Sequence, residues 1–208
     1  MSAYFSIEVF FKKDILYSSF VEDVYSLLFQ SGFNFKSGYW FSEDMTLEQI
    51  IKWNQKYLQN KFSLGFTQHV KYDYKQILLD TDIFSEMRVF WMYSNDRIHL
   101  NIIIPESDVL HIEGKHCFFL ESKINPIIAA ACSIWDTRLV SAIQTRLELE
   151  DGIDLEEIEQ GHLPLINPFC IISNDIAKRF EFSLKGNLTC KYLNKKGVLI
   201  VDNTLLTE

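Results

Sequence analysis

Eight glycines and four prolines in 208 residues leave little material for long flexible linkers. No apolar run approaches the roughly 20 residues needed to cross a bilayer. Met1 to Phe11 alternates polar and apolar residues and has no basic start ahead of an apolar block, so no signal peptide is expected. Cytoplasmic action is the corresponding expectation. Cys117, Cys132, Cys170 and Cys190 are widely spaced and form no CxxC pair, so in a reducing compartment they read as small hydrophobes. Also missing are the glycine-rich loops that cradle phosphates in nucleotide-binding proteins and the Gly-x-Ser-x-Gly elbow of hydrolases. Phosphate contacts need Lys and Arg on one face, and the best basic stretch is limited to six residues between Lys178 and Lys196, which argues against nucleic-acid binding.

What the chain does hold is apolar bulk. Hydrophobic residues make up 48% and aromatics 14%, with 17 Phe, which is too rich for a disordered chain. A chain of this length buries roughly 70% of its unfolded surface, enough for one self-sufficient core. The acidity is concentrated. Seven of the twelve residues from Glu148 to Glu159 are acidic and none is basic. Outside them 21 acids face 20 Lys and Arg, against a net charge of -8 for the whole chain. A local negative field of this kind steers basic partners and repels anionic ones.

Periodicity places the elements. Phe5, Ile7, Val9 and Phe11 share one face of a strand over Tyr4 to Phe11. Asp14 reads as the cap of a helix carrying Leu16, Phe20, Val24, Leu27 and Leu28, with Gly32 at its left-handed end. Phe33 to Phe41 reads as extended, and Thr46 with Gln49 forms a capping box for a second helix. Short strands are expected between Lys61 and Glu86. A turn at Asn95-Asp96 pairs Tyr93 with Ile98, Trp91 with Leu100, Val89 with Ile102 and Met87 with Ile104 on one apolar face. The opposite face pairs Met92 with His99, Phe90 with Asn101 and Arg88 with Ile103. Val109–Glu113 and His116–Glu121 form a strand pair around Gly114, and Asn125-Pro126 opens a further helix. A strand over Leu139 to Ile143 follows. Asp154 and Glu157 cap a short helix that Gly161 ends, with Leu155 and Ile158 facing inward and Glu156, Glu157 and Glu159 facing out. Phe169–Ser173, a short helix over Asn174–Phe180, and a hairpin of Leu188–Leu193 with Val198–Val201 complete the chain. These elements predict one α+β domain over residues 1–208, with a mostly antiparallel sheet and helices packed on one face.

Few residues offer chemistry. His111, Glu113, His116 and Cys117 include metal-ligand types, but a hairpin at Gly114 sends His116 and Cys117 to opposite faces, so no metal or cofactor site is expected. Glu150 to Asp154 lacks the spacing of a calcium-binding loop. His69, His99 and His162 are isolated in sequence and read as surface or satisfied polar residues. No catalytic residue is therefore assigned. The candidate partner-binding residues are Glu148, Glu150, Asp151, Asp154, Glu156, Glu157 and Glu159. Two bland alternatives stand beside that reading. An acidic helix can be a solvated face, or it can be neutralised by the basic stretch of Lys178, Arg179, Lys185, Lys191, Lys195 and Lys196.

One resemblance spans most of the chain. Its carriers are His99-Leu-Asn-Ile-Ile-Ile-Pro105, the helix ending in Trp135-Asp136, Pro168-Phe-Cys-Ile-Ile-Ser-Asn174, Gly197-Val-Leu-Ile-Val201 and Leu205-Leu206. In this order they resemble the immunity protein fifty-two family of bacterial polymorphic toxin systems. Thr137 stands where that family has proline, and Lys196-Gly197 where it tends to have two glycines. The resemblance implies a non-enzymatic immunity protein that binds and neutralises a cognate toxin domain, a nuclease in some systems, with no catalytic residues to carry over. The partner would be a toxin protein that is basic at its active site. Two alternatives remain: a small-molecule enzyme built on histidines and carboxylates, and a structural subunit of a larger assembly.

Overall fold

A computed structural model describes residues 3–63, 70–114, 116–137, 139–180 and 187–208. Its twelve strands, in chain order, are β1 (Tyr4–Phe11), β2 (Asn34–Gly38), β3 (Ile77–Asp80), β4 (Met87–Ser94), β5 (Arg97–Pro105), β6 (Leu110–Glu113), β7 (His116–Leu120), β8 (Val140–Leu147), β9 (Phe169–Ser173), β10 (Leu188–Leu193), β11 (Gly197–Asp202) and β12 (Leu206–Thr207). Six helices intervene: α1 (Phe20–Gln30), α2 (Leu47–Gln59), α3 (Glu106–Val109), α4 (Glu121–Trp135), α5 (Leu155–Gln160) and α6 (Asn174–Ala177). Nine strands form one sheet in the order β10-β11-β9-β8-β1-β5-β4-β3-β2, and every neighbouring pair is antiparallel. A small second sheet has the order β12-β7-β6. The chain is thus α+β, as its pattern of elements predicts.

The alternation along β1 explains the layering. Phe5, Ile7, Val9 and Phe11 are fully buried and share a core with Phe20, Val24 and Leu28 of α1, Ile50 and Leu58 of α2, and Ile127, Ala131 and Ile134 of α4. Val89 and Trp91 of β4 and Leu100 and Ile102 of β5 join that face, in the register predicted from Asn95-Asp96. One polar network lies inside this core. The Tyr25 hydroxyl accepts from Trp91 Nε1 at 3.0 Å and from Asn54 Nδ2 at 3.2 Å, and burial pushes its pKa up. Asn54 also exchanges two hydrogen bonds with the Lys75 backbone, so α2 is tied to the segment leading into β3.

The helices are not confined to one face as expected, because the opposite face of the sheet is partly covered too. Phe10, Ala142, Cys170, Ile172, Val198 and Ile200 form a second cluster beneath Leu155 and Ile158 of α5 and Ile176 and Ala177 of α6. This cover lies over β8, β9 and β11. Toward β1, β5 and β4 the same face carries mixed polar and apolar side chains, with none of the described helices among the elements that line the cleft there.

Two helix starts differ from the sequence reading. α1 begins after Ser19, not Asp14, whose φ of 57° places it in a left-handed turn. Asp14 is one of the residue types that tolerate that conformation, so it shapes the loop before the helix instead. α4 begins at Glu121 and contains Pro126, which lies one turn further in than the helix-opening position expected for it. Proline there removes one backbone bond near the helix start, and six buried side chains from Ile124 to Trp135 outweigh it. Gly32, Gly114 and Gly161 do take the left-handed conformation.

Candidate functional site

The exposed polar half of the sheet is built by register. Across β8, β1, β5 and β4, Gln144 pairs with Glu8, Glu8 with Asn101, and Asn101 with Phe90. The next row runs Ala142, Phe10, His99, Met92, and the row on the other side runs Arg146, Ser6, Ile103, Arg88. Strands lie about 4.8 Å apart, so residues in a row are immediate neighbours. Three polar side chains in one row of a central sheet leave that face unsuited to a helix layer. What forms there is a cleft of about 370 Å³ lined by Glu8, Phe90, Met92, His99, Gln144 and Arg146 among others.

The acidic segment supplies one wall of this cleft, through Gly152, Ile153 and Asp154. Its position is fixed by hydrogen bonds. Arg146 Nη1 donates to the Glu150 carbonyl at 3.1 Å, and Gln144 Nε2 donates to the Ile153 carbonyl at 2.9 Å. The Asp154 N–H donates to the Glu157 carboxylate at 3.0 Å, and Gly161, with φ of 104°, ends α5. Leu155 and Ile158 anchor the helix in the second core cluster. Arg97, buried at the start of β5, donates to the Glu159 carboxylate at 2.6 Å.

The seven acidic candidates therefore divide. Glu148 accepts the Tyr4 N–H at 3.0 Å. Glu150 accepts the Leu147 N–H at 2.8 Å and the Asn167 side-chain amide. Glu157 caps α5, and Glu159 pairs with Arg97. These four carboxylates hold the segment together. Asp151, Asp154 and Glu156 are exposed and form no ion pair among the described residues.

Among the described residues, the basic stretch forms no ion pair with these three. Lys178 reaches Asp175 of its own helix at 3.9 Å, and Arg179 donates to the Glu159 backbone carbonyl, not to a carboxylate. Lys191 lies on β10 at the edge of the sheet. Lys185 lies outside the described residues.

Inside the cleft, Glu8 accepts from Arg146 Nε at 2.8 Å and from Gln144 Nε2 at 2.9 Å. His99 packs edge-on against Phe10, and its Nε2 lies 3.5 Å from the Ser94 hydroxyl. Burial lowers its pKa. Glu8 and Asp154 oppose that shift and Arg97 adds to it. Gln144 is 1% exposed, and its Oε1 has no hydrogen-bond donor among the described residues. Glu8, Gln144, Arg146 and Asn101 have no place among the sequence-based candidates. Part of their signal was available, since the mixed pairs Met92–His99 and Phe90–Asn101 mark this face. That β5 and β8 flank β1 could not be read from local pattern.

Among the described residues, the other histidines and cysteines assemble nothing comparable. His111 and His116 are exposed on β6 and β7, Cys117 is exposed beside them, and His162 is exposed after α5. His69 lies outside the described residues. No group of three or more His, Cys, Asp and Glu is placed to hold a metal ion among the described residues. Burial raises the thiol pKa of Cys132, Cys170 and Cys190, which lowers their thiolate fraction. No described helix is long and apolar enough to cross a membrane.

Compared with known proteins, the chain matches no family model, no curated protein and no solved structure. The residues that carry the resemblance to immunity proteins have roles in the fold. Gly197 lies against Trp135, and a Cβ there would come within 2.1 Å of the indole Nε1. Thr137, at the position of the family's proline, receives the Leu139 N–H and donates to the Ile134 carbonyl, closing the end of α4. Lys196, at the position of the family's first glycine, has a φ of 58°.

Proposed function

We propose that this chain is a non-enzymatic binding protein that neutralises a toxin domain inside the producing cell by docking a basic surface of it. The observation that carries the reading is the division of the acidic segment. Four of its carboxylates lock it in place, and Asp151, Asp154 and Glu156 are left without a cationic partner among the described residues, with Asp154 in the wall of the cleft. A preorganised, unpaired set of like charges is costly to hold together and favours a partner of the opposite sign. The resemblance to the immunity protein fifty-two family supplies the kind of partner. A nuclease toxin has a basic groove for phosphates, and carboxylates set on a firm frame can occupy it.

The test is co-expression with the toxin domain encoded beside this chain. A stable one-to-one complex that weakens as salt rises and loses the toxin's activity is the expected result. Unimpeded toxin activity with no complex would remove the proposal.

A second reading has one observation behind it. Ser94 and His99 approach at 3.5 Å in a cleft that also holds Glu8 and Asp154, an arrangement reminiscent of a hydrolase nucleophile and base. The distance is at the long end of hydrogen bonding, and no carboxylate is hydrogen-bonded to His99 among the described residues. Labelling of Ser94 by a fluorophosphonate probe would favour this reading over the binding one.

A further inference from the structure

Asn101 lies on β5 in the floor of the cleft, between Glu8 of β1 and Phe90 of β4. Its neighbours in sequence, Leu100 and Ile102, belong to the main core, so strand alternation turns the Asn101 carboxamide to the cleft side. The residue is 8% exposed. Its Nδ2 donates to the Met92 sulfur at 3.3 Å, a weak acceptor, and keeps a second N–H. Its Oδ1 accepts no hydrogen bond among the described residues, and it is not one of the unpartnered atoms that the fold seals from solvent. A carboxamide buried to this degree is rarely left with an open acceptor.

The polar groups that could have met Asn101 are engaged elsewhere. Both carboxylate oxygens of Glu8 are taken, one by Arg146 and one by Gln144. The other neighbours are apolar: Phe90 pairs with Asn101 across the strands, and Met92 pairs with His99. Positive charge is spent as well. Arg146 is the only Lys or Arg among the described residues that line the cleft, and Glu8 matches it. Burial holds His99 toward its neutral form, so it adds no positive charge near neutral pH.

We infer that the cleft seats an adenine base, as the free base or its nucleoside, with Asn101 hydrogen-bonded along the base edge and Phe90 and Met92 against the ring. A carboxamide presents a donor and an acceptor side by side. Adenine answers with an amino group beside a ring nitrogen, so the two make a paired, two-bond contact. An aromatic ring and a thioether favour a flat apolar body, which a purine has and a simple amide lacks. The volume of about 370 Å³ falls within the roughly 300–1,000 Å³ of small-molecule sites. Charge selects against a phosphate, because Arg146 is matched and Asp154 on the wall is negative. Base binding does not depend on toxin docking, since Asn101, Phe90 and Met92 belong to the sheet and not to the acidic segment.

The experiment titrates adenosine into the isotopically labelled full chain and follows the protein by NMR. A dissociation constant on the order of 0.1–1 mM is expected for one base held by one amide pair. The largest shifts should fall on the Asn101 side-chain amide, on Phe90 and Met92, and on the His99 ring. N6,N6-dimethyladenosine has no N6–H to give to Oδ1 and should bind at least about tenfold more weakly. Adenosine monophosphate should bind roughly two- to five-fold more weakly than adenosine. Asn101→Leu keeps the side-chain size, removes the hydrogen-bonding edge, and should weaken adenosine binding at least about tenfold. Where that variant melts early, the dimethyl analogue on the parent protein makes the same test without a substitution.

No shift at millimolar adenosine, shifts away from the cleft, or equal binding of adenosine and its dimethyl analogue would overturn the assignment. So would tighter binding of the monophosphate than of the nucleoside. N-acetyl-glutamine N-methylamide stands in for a carboxamide on a protein partner. Tighter binding of that probe than of adenosine would also overturn the assignment, since the cleft would then take a protein side chain.

Discussion

At Gly197 the sequence motif and the packing have one explanation. The indole of Trp135 lies where a Cβ would project, so Gly197→Ala must displace a buried tryptophan. A loss of about 1–3 kcal/mol is expected, as for other overpacked sites, read as a lowered denaturation midpoint. Lys196 beside it pays the strain of a left-handed backbone. Lys196→Gly should relieve that strain and stabilise the protein by up to about 1 kcal/mol, after the extra freedom of glycine in the unfolded chain is deducted. His99 gives a pH-dependent prediction. Its folded pKa lies below the ordinary 6.5, so between those two values the unfolded chain binds more protons than the folded one. Its contribution to stability is therefore complete above the ordinary value and is lost as pH falls below it. Melting curves from pH 8 to pH 5 should show a smaller acid-induced loss for His99→Gln than for the parent. Identical losses would mean that His99 is not held neutral by burial.

The loop and α5 behave as one element because most of their acids are structural. A four-residue reversal of Glu150, Asp151, Asp154 and Glu157 to lysine follows naturally from the sequence, but in the fold it would remove the acceptors of the Leu147 and Asp154 N–H groups. The variant would disturb the element it was meant to probe. The pair Asp151 and Glu156 can be reversed without touching those bonds. Glu159 has the opposite character. Glu159→Gln leaves Arg97, which is buried, without a counter-charge, and should cost about 1–3 kcal/mol. Faster amide exchange across α5 would show that the loss is local. Sequence periodicity revealed the capped helix and its inward Leu155 and Ile158, because both depend on residues within one turn. It could not reveal that Arg97, distant in the chain, would pin Glu159, nor that Gln144 would hold the Ile153 carbonyl. Those bonds follow from strand order, and strand order is set by long-range packing.

For the molecule as a whole, one asymmetry shapes the candidate site. The β4–β5 hairpin was legible in register and in both faces, since one face is wholly apolar and the other mixed. What the mixed face adjoins was not legible. β1 at the centre of the sheet, with β8 beyond it, brings Glu8, Gln144 and Arg146 alongside Asn101 and His99. Helices α1, α2 and α4 cover one face fully, and α5 and α6 stop short on the other. The open remainder is a cleft with an acidic wall, the feature that the docking proposal uses.

The most direct measurement is titration of the toxin domain proposed as partner with two proteins, the parent and the Asp151→Lys, Glu156→Lys double variant, by calorimetry at low and at physiological salt. Those two carboxylates make no hydrogen bond or ion pair among the described residues. The variant should melt with the parent yet bind at least about tenfold more weakly, with a flattened salt dependence. Equal affinity and an equal salt slope for the two proteins would contradict the claim that the acidic wall is the docking surface.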